Sequence, residues 1–477
     1  MIQTFREYRL LIILVSLFIF VSLFFVSNNN WIPFAVPLVF LALYFIFFNA
    51  KWIFLLLYFL TPLSINIEEY SESIGLFIPT EPILILFLLL ILALILFRGL
   101  KYKWLWTNPL IYILVLYILV LFISSTTSEY PLVSFKYLFM KLWYIIPIFY
   151  LACTYLQSSK NIEIILWMFS SGMVIVMIYT LVHHSLYQFA EKPSHWVMSP
   201  FFKDHTIYGA MVAFTVPLIV SLFFYKKRHP LLQAVLISFF VINLIALYFS
   251  FTRAAWLSIV VSLAFYFIIY WRIKLSFLLS IIVFLSIIVY FSWTPIQHAL
   301  EKNKSEHTTE EFSKRLESVS NVTTDASNLE RLNRWDCAWQ MFQERPILGF
   351  GPGTYAFEYA RFQKANNLTI ISTNFGDGGN AHSEYLGPLS ETGIVGFLLT
   401  IALIISFFYY GIKSYYKLKN EQSPLKTLIL GMVLALSTYF FHGILNNYWD
   451  TDKASIPIWT MSVVFLIVFN GKIIEKK

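Results

Sequence analysis

Charge is scarce in this chain. Only 13% of its 477 residues are Asp, Glu, Lys or Arg, about half of the ~25% carried by soluble proteins. Cysteine is nearly missing too. Cys153 and Cys337 make neither a disulfide framework nor a cysteine metal cluster. No internal repeat and no low-complexity linker occurs, and no small-residue cleavage site follows the first apolar run after Arg9. That run therefore reads as a retained span, not a signal peptide. Long polar stretches are almost absent, and the segment 293–384 is the one large exception. These absences exclude a soluble globular enzyme, a disulfide-stapled secreted domain and a zinc module.

What is present is apolar. Hydrophobic residues make up 58% of the sequence, and the mean hydropathy is +0.70. Runs of about 18 or more apolar residues recur from end to end, long enough to cross a bilayer as helices. The expected fold is an all-α polytopic membrane protein of about 12–14 transmembrane helices. Fourteen candidate spans lie at about 10–26, 31–48, 52–66, 79–98, 108–125, 138–156, 162–184, 207–225, 231–250, 254–271, 275–292, 385–412, 425–445 and 455–470. Fourteen spans put both termini on one side. That side collects nineteen of the 34 Lys and Arg residues, among them Arg6, Arg9, Lys51, Arg98, Lys160, the run Lys226–Arg228, Arg272, Lys413 and Lys426. The short loops opposite hold only Lys136, Lys192, Lys203, Arg253 and Lys453. The positive-inside rule then makes both termini cytoplasmic. The net charge of +8 is accounted for by topology, with membrane lipids as surroundings and no nucleic acid as partner.

Four parts follow: N-terminal helices (1–206), central helices carrying Arg253 (207–292), a large outward loop (293–384) and C-terminal helices (385–477). The loop opens on a charged stretch at 301–319. Its middle, "LERLNRWDCAWQMFQERPILGFGPGTY", predicts an amphipathic helix stopped by Pro346 and a glycine-rich turn. Several polar residues at the outer ends of spans need explaining. His382 and Glu384 open the span after the loop, and Gly393 and Gly396 inside it would admit a neighbouring helix. His382 suits proton transfer or plain interfacial packing. Arg253 interrupts nearly forty apolar residues, so it should pair or line a watery cavity; snorkelling at a tight outer turn is the alternative. Arg331 and Arg334, one helical turn apart, form a cationic strip with Arg345; planar guanidinium forks grip phosphate oxygens. Asp204, His205 and Tyr208 stand at the start of one span, where capping competes with ligand binding. Lys136 and Lys141 stand near the start of another, where Lys141 should snorkel. "DTD" at 450–452 and the Glu pair at 68–69 read as solvated acidic loops, with a divalent cation as the weaker reading.

Four pieces of the second half resemble the O-antigen ligase/polymerase superfamily of bacterial envelopes, in the family's order. They are "FFKDHTIYGAMVAF", "FTRAAWL", "ERLNRWDCAWQMFQERPILGFGPGTY" and "AHSEYLGPLSETGIVG". The last carries His382, Ser383, Gly393 and Gly396 at the ligase spacing, with Ser383 where asparagine is common. The resemblance implies a GT-C-type membrane glycosyltransferase of the inner membrane with one large periplasmic loop and a periplasmic active site. It implies transfer of an undecaprenyl-diphosphate-linked glycan to a lipid A–core sugar, or to another glycan acceptor, with no metal and no cofactor. By position, His382 matches the family's proposed base, Arg253 its membrane-embedded arginine and Arg331 its loop arginine. Arg334, Lys136, His205 and Tyr208 are expected to bind substrate beside this catalytic set.

A polymerase of the same fold is the alternative. The motif spacings and the single large loop lean towards a ligase. A lipid-glycan or anion transporter is an alternative of another class. It should show repeated halves with broken helices and ionisable residues near the midplane, and the sequence has no such repeat.

Overall fold

The computed structural model describes residues 35–69, 75–274, 326–364, 379–418 and 424–473, together with 18–19, 22–23, 276–277, 280, 284 and 287. The expected spans 10–26 and 275–292, most of "EEYSES" and the charged stretch 301–319 lie outside the described residues or almost so. The chain divides into a unit of Met1–Phe54 and a unit of Leu55–Lys477, and the candidate site described below lies in the second.

Among the described residues, eleven helices are long and apolar enough to cross a membrane. The fold is the expected all-α polytopic one. The helices are α1 (Ala35–Leu63), α2 (Thr80–Arg98), α3 (Pro109–Thr126), α4 (Pro131–Tyr155), α5 (Ser159–Ser185), α6 (His205–Tyr225), α7 (Pro230–Phe249), α8 (Arg253–Tyr270), α9 (Ala326–Glu344), α10 (Tyr355–Glu358), α11 (Leu386–Lys417), α12 (Pro424–His442) and α13 (Asp452–Phe469). Of these, α9 and α10 are not spans. Two expected spans, 31–48 and 52–66, fall in α1 as two helical segments that meet at a kink, where Asn49 leaves helical geometry (φ −130°, ψ 30°). A two-residue hairpin, Ile65–Asn66 paired antiparallel with Phe77–Ile78, precedes α2.

Side-chain type decides which spans are inside. In α2, "PILILFLLLILALILF" is large and apolar all round, and 28% of its spanning window is buried. In α13, Ser455, Thr460 and Ser462 interrupt the apolar residues, and 94% is buried. Small and hydroxyl-bearing residues let helices approach closely and pair inside a bundle, whereas lipid rewards bulk alone. Helices α6 and α12 pack together at the centre with α8, and α13 sits between α4 and α11.

The two ends of the bundle differ. At one end, Glu163 takes Lys226 and Arg228, each at 2.7 Å, near the run Lys226–Arg228. At the other end, the loops before α2, α6, α11 and α13 gather with α4 around a cavity of about 720 Å³.

Candidate active site

Helix α9 and the turn after it frame the cavity end. Cys337, Ala338 and Met341 face inward from α9 onto Phe350, Tyr355, Tyr359 and Ala381. Pro346 stops the helix, as the sequence predicts. Gly349, Gly351 and Gly353 take positive φ (67°, 117° and 75°), backbone that side chains disfavour. This glycine turn lies against a break in α11. Gly393 has φ 63° and ψ −166° inside that helix. The backbone groups released by the break pair with the turn. Phe350 N–H donates to Ser390 O (3.2 Å), Gly351 N–H to Glu391 O (2.8 Å) and Ile394 N–H to Pro346 O (2.8 Å). Ser124 Oγ donates to Leu348 O at 2.7 Å. The glycines therefore do not admit a neighbouring helix, as the spacing suggested. Gly393 admits the 346–348 backbone, and the missing Cβ of Gly396 makes room for Thr392.

The chain then presents His382 from Gly379–Tyr385. His382 has φ 47°, a left-handed backbone that costs a non-glycine residue of order 1–3 kcal/mol and needs support. Its N–H donates to Asn380 Oδ1 (3.0 Å), and its carbonyl accepts from Trp335 Nε1 (3.4 Å). Arg334 Nη1 donates to Asn380 O (3.2 Å). Ser383 Oγ accepts from the N–H groups of Tyr385 and Leu386 (3.3 and 3.4 Å), so the residue after the histidine works as a helix cap. The imidazole lies on the cavity wall beside Asn446. Burial lowers its pKa to about 4; Arg331 and Arg334 push the same way, while Asn446 and Glu330 oppose them. At neutral pH the ring is uncharged and able to accept a proton.

Arg331 lies within electrostatic range of His382, its Nε donating to Leu445 O at 3.2 Å. Burial lowers its pKa, opposed by Tyr448 and Asp204, so its position favours an approaching anion. His205 lies within electrostatic range of Arg331, Arg253 and Asp204, and His442 within range of Arg331 and His205. Buried His205 Nδ1, His442 Nε2 and Asn446 Nδ2 have no protein partner. Arg253, at the first turn of α8, and Arg331 thus both act on His205, and Arg331 also acts on His382. Arg334 is different. It is buried against Glu330 (Nε–Oε1 2.8 Å) and lies over the Tyr359 ring, 4.9 Å from its centroid, where it holds the 379–380 backbone. Tyr208 is buried inside the bundle near Phe202, with ring centroids 5.7 Å apart. Lys136 is on an exposed face of α4. Of the seven residues singled out as catalytic or substrate-binding from the sequence, His382 alone lines the 720 Å³ cavity. Asp204, beside them, caps α6 by accepting from Thr206 and Ile207 N–H and is on the cavity wall.

Other wall residues are ones that sequence reasoning undervalued. Lys141 does not snorkel: it is 2% exposed and meets Asp450 Oδ1 at 2.6 Å. The helix begins at Pro131 and not at 138 as expected, so Lys141 lies ten residues into it, about 15 Å along the axis, where an ionisable group demands a partner. Nor is "DTD" a solvated loop. Asp452 is fully buried and accepts from Ser64 and Thr80, while Lys453 donates to Thr61 O and Ser64 O at 2.9 and 2.6 Å. Glu384 is the anchor of the site. Its Oε1 accepts from Tyr439 Oη (2.6 Å), Tyr448 N–H (2.6 Å) and Trp449 N–H (2.8 Å), tying the His382 segment to the 443–451 loop. Burial raises its pKa to about 7, Asp450 adding to the effect and the hydrogen bonds opposing it. Among the described residues, no group of three or more His, Cys, Asp or Glu could hold a metal ion.

The Glu330–Arg334 pair gives a stability prediction. Arg334→Ala takes the guanidinium away from buried Glu330 and should cost ~3–5 kcal/mol. Unfolding in detergent should show that loss, and Glu330→Gln in the same background should recover part of it. A melting curve matching wild type for the single variant would remove Arg334 as the brace.

Residues 238–401 match the family model described as O-antigen ligase. The stretch holds Arg253, Arg331, Arg334, His382 and both glycines at the α11 break. An uncharacterized protein of Haemophilus influenzae (strain ATCC 51907 / DSM 11121 / KW20 / Rd) is 24% identical over 137 residues, 29% of this chain and 33% of that protein. The chain thus spans about a third of that relative's length. Carried on a bundle of long apolar helices, the 238–401 match supports an O-antigen ligase-like superfamily as the family of this multi-pass membrane protein.

Proposed function

We propose that this protein is a glycosyltransferase that moves a glycan from an undecaprenyl diphosphate onto a sugar hydroxyl at the outer face of the bacterial inner membrane. The observation that carries the reading is the position of His382. It is an uncharged imidazole on a braced left-handed backbone, on the wall of the cavity and within electrostatic range of Arg331. In the proposed reaction His382 takes the proton of the acceptor hydroxyl. The oxygen attacks the anomeric carbon, the bond to the diphosphate breaks with inversion, and the electron pair leaves with the lipid diphosphate. Arg253 and Arg331 hold that diphosphate, offsetting the charge that grows on it. No metal or cofactor is assigned a role. The lysine-rich end faces the cytoplasm by the positive-inside rule, which turns the cavity end outward.

The test is reconstitution of the purified chain with a lipid-diphosphate glycan and two acceptors. Product on lipid A–core supports a ligase; lengthening of the lipid-linked glycan supports a polymerase. Transfer to neither acceptor, with the lipid or an anion crossing the liposome bilayer, overturns the reading in favour of a carrier. Arg253→Lys keeps the charge but loses the fork and should slow transfer by about 10²-fold, in line with the loss of one transition-state donor. An Arg253→Lys protein with normal turnover would remove bidentate diphosphate binding at that residue.

A further inference from the structure

The wall of the 720 Å³ cavity carries a chemistry that a diphosphate does not explain. Five carboxylates line it, from Glu68, Asp204, Glu384, Glu391 and Asp450. Three lysines, Lys141, Lys203 and Lys453, line it too, but Lys141 is paired with Asp450 and Lys453 with the Thr61 and Ser64 carbonyls, so the wall offers a polyanion little net attraction. A polyol suits it, because carboxylate oxygens accept hydrogen bonds from hydroxyls. Asp450 is the best built of the five. Lys141 Nζ (2.6 Å) and Tyr137 Oη (2.9 Å) both donate to its Oδ1. The lysine side chain is 2% exposed, but the aspartate side chain keeps 39%, so the pair is locked from behind and open in front. Beside it on the wall is Trp449, which is 5% exposed and whose indole Nε1 has no protein partner. Lys141 lies 5.6 Å from the Trp449 ring centroid. Tyr137 and Tyr117 add aromatic surface on the same wall. The group also shares a frame with the base: Trp449 N–H donates to Glu384, two residues from His382.

We infer that Asp450, clamped by Lys141 and Tyr137, is the hydroxyl-recognition site for the acceptor glycan, on the cavity side of His382 and apart from the arginine side that takes the diphosphate. The inference rests on the glycosyl-transfer reading above and adds where each substrate sits. Asp450 is a binding residue here, and the proton of the reacting hydroxyl still goes to His382.

The test compares wild type, Asp450→Asn and Tyr137→Phe in the reconstituted assay, with the lipid-diphosphate glycan as donor and the acceptor that wild type uses. Asp450→Asn loses hydrogen bonds to a charged group and should raise the acceptor KM by about tenfold, with the donor KM unmoved. Tyr137→Phe removes one clamp and leaves the ion pair intact, so a rise of about threefold is expected. An unchanged acceptor KM, or donor and acceptor KM rising together, overturns the inference. If Asp450→Asn does not fold with Lys141 left buried, Tyr137→Phe decides by the same criterion. Wild type that transfers to no acceptor sinks the glycosyl-transfer reading itself. Active wild type with variants of unmoved acceptor KM sinks this inference alone.

Discussion

Transfer by a His382→Ala protein should fall by about 10²–10⁴-fold, the range a positioned general base supplies. The pH dependence should separate that role from packing. A base works uncharged, so activity is lost as pH falls through its pKa. Burial and the arginine charges hold that pKa at about 4, below its ordinary 6.5. The kcat/KM profile, which reports the free protein, should therefore stay level on the acid side until the pH approaches about 4. Bound diphosphate brings negative charge beside the ring and favours the imidazolium. The acid limb of kcat should accordingly lie at higher pH than that of kcat/KM. An acid limb of kcat/KM near 6.5, or a kcat limb at lower pH than the kcat/KM limb, would take His382 out of the arginine field.

The second large effect is expected at Gly393. Its φ of 63° and ψ of −166° belong to a region that is essentially glycine's alone. A Cβ there would stand 2.3 Å from the carbonyl carbon of Ile347. Both objections fall on backbone, which cannot rotate away. Gly393→Ala should destabilise the protein by ~3 kcal/mol or more, since strain and overpacking add. Gly387→Ala on the same helix is the control, because a Cβ there meets nothing within 4 Å. A Gly393→Ala protein melting with the Gly387→Ala control would show that the break in α11 can close.

Much of the architecture was legible because lipid imposes one rule, a long apolar helix per crossing. The spans from α2 to α8 and from α11 to α13 stand where apolar runs are found, and α9 stops at Pro346 as its pattern predicts. Boundaries were less legible, as where α4 begins at Pro131, seven residues before the expected span. The site was legible in part. Arg253, Arg331 and His382 stand out as polar residues in apolar or outward settings, and such settings make polar groups costly. Lys141, Glu384, Asp450 and Asp452 were undervalued for a common reason. Each is explained by a partner between 55 and 372 residues away, and nothing in a sequence pairs Lys141 with Asp450. The glycines misled differently. Their spacing shows that something comes close, but whether a helix or a loop comes close is a matter of tertiary structure.

The burial of α13 also bears on how the chain enters its membrane. A helix that shows lipid almost none of its surface, and that begins on buried Asp452 and Lys453, gains little by partitioning alone. The charges at its start become tolerable once the carbonyls of Thr61 and Ser64 and the hydroxyl of Thr80 are in place to meet them. Its entry is therefore a docking event between proteinaceous surfaces, governed by fit to α4 and α11, where the entry of α2 is a transfer of grease into oil.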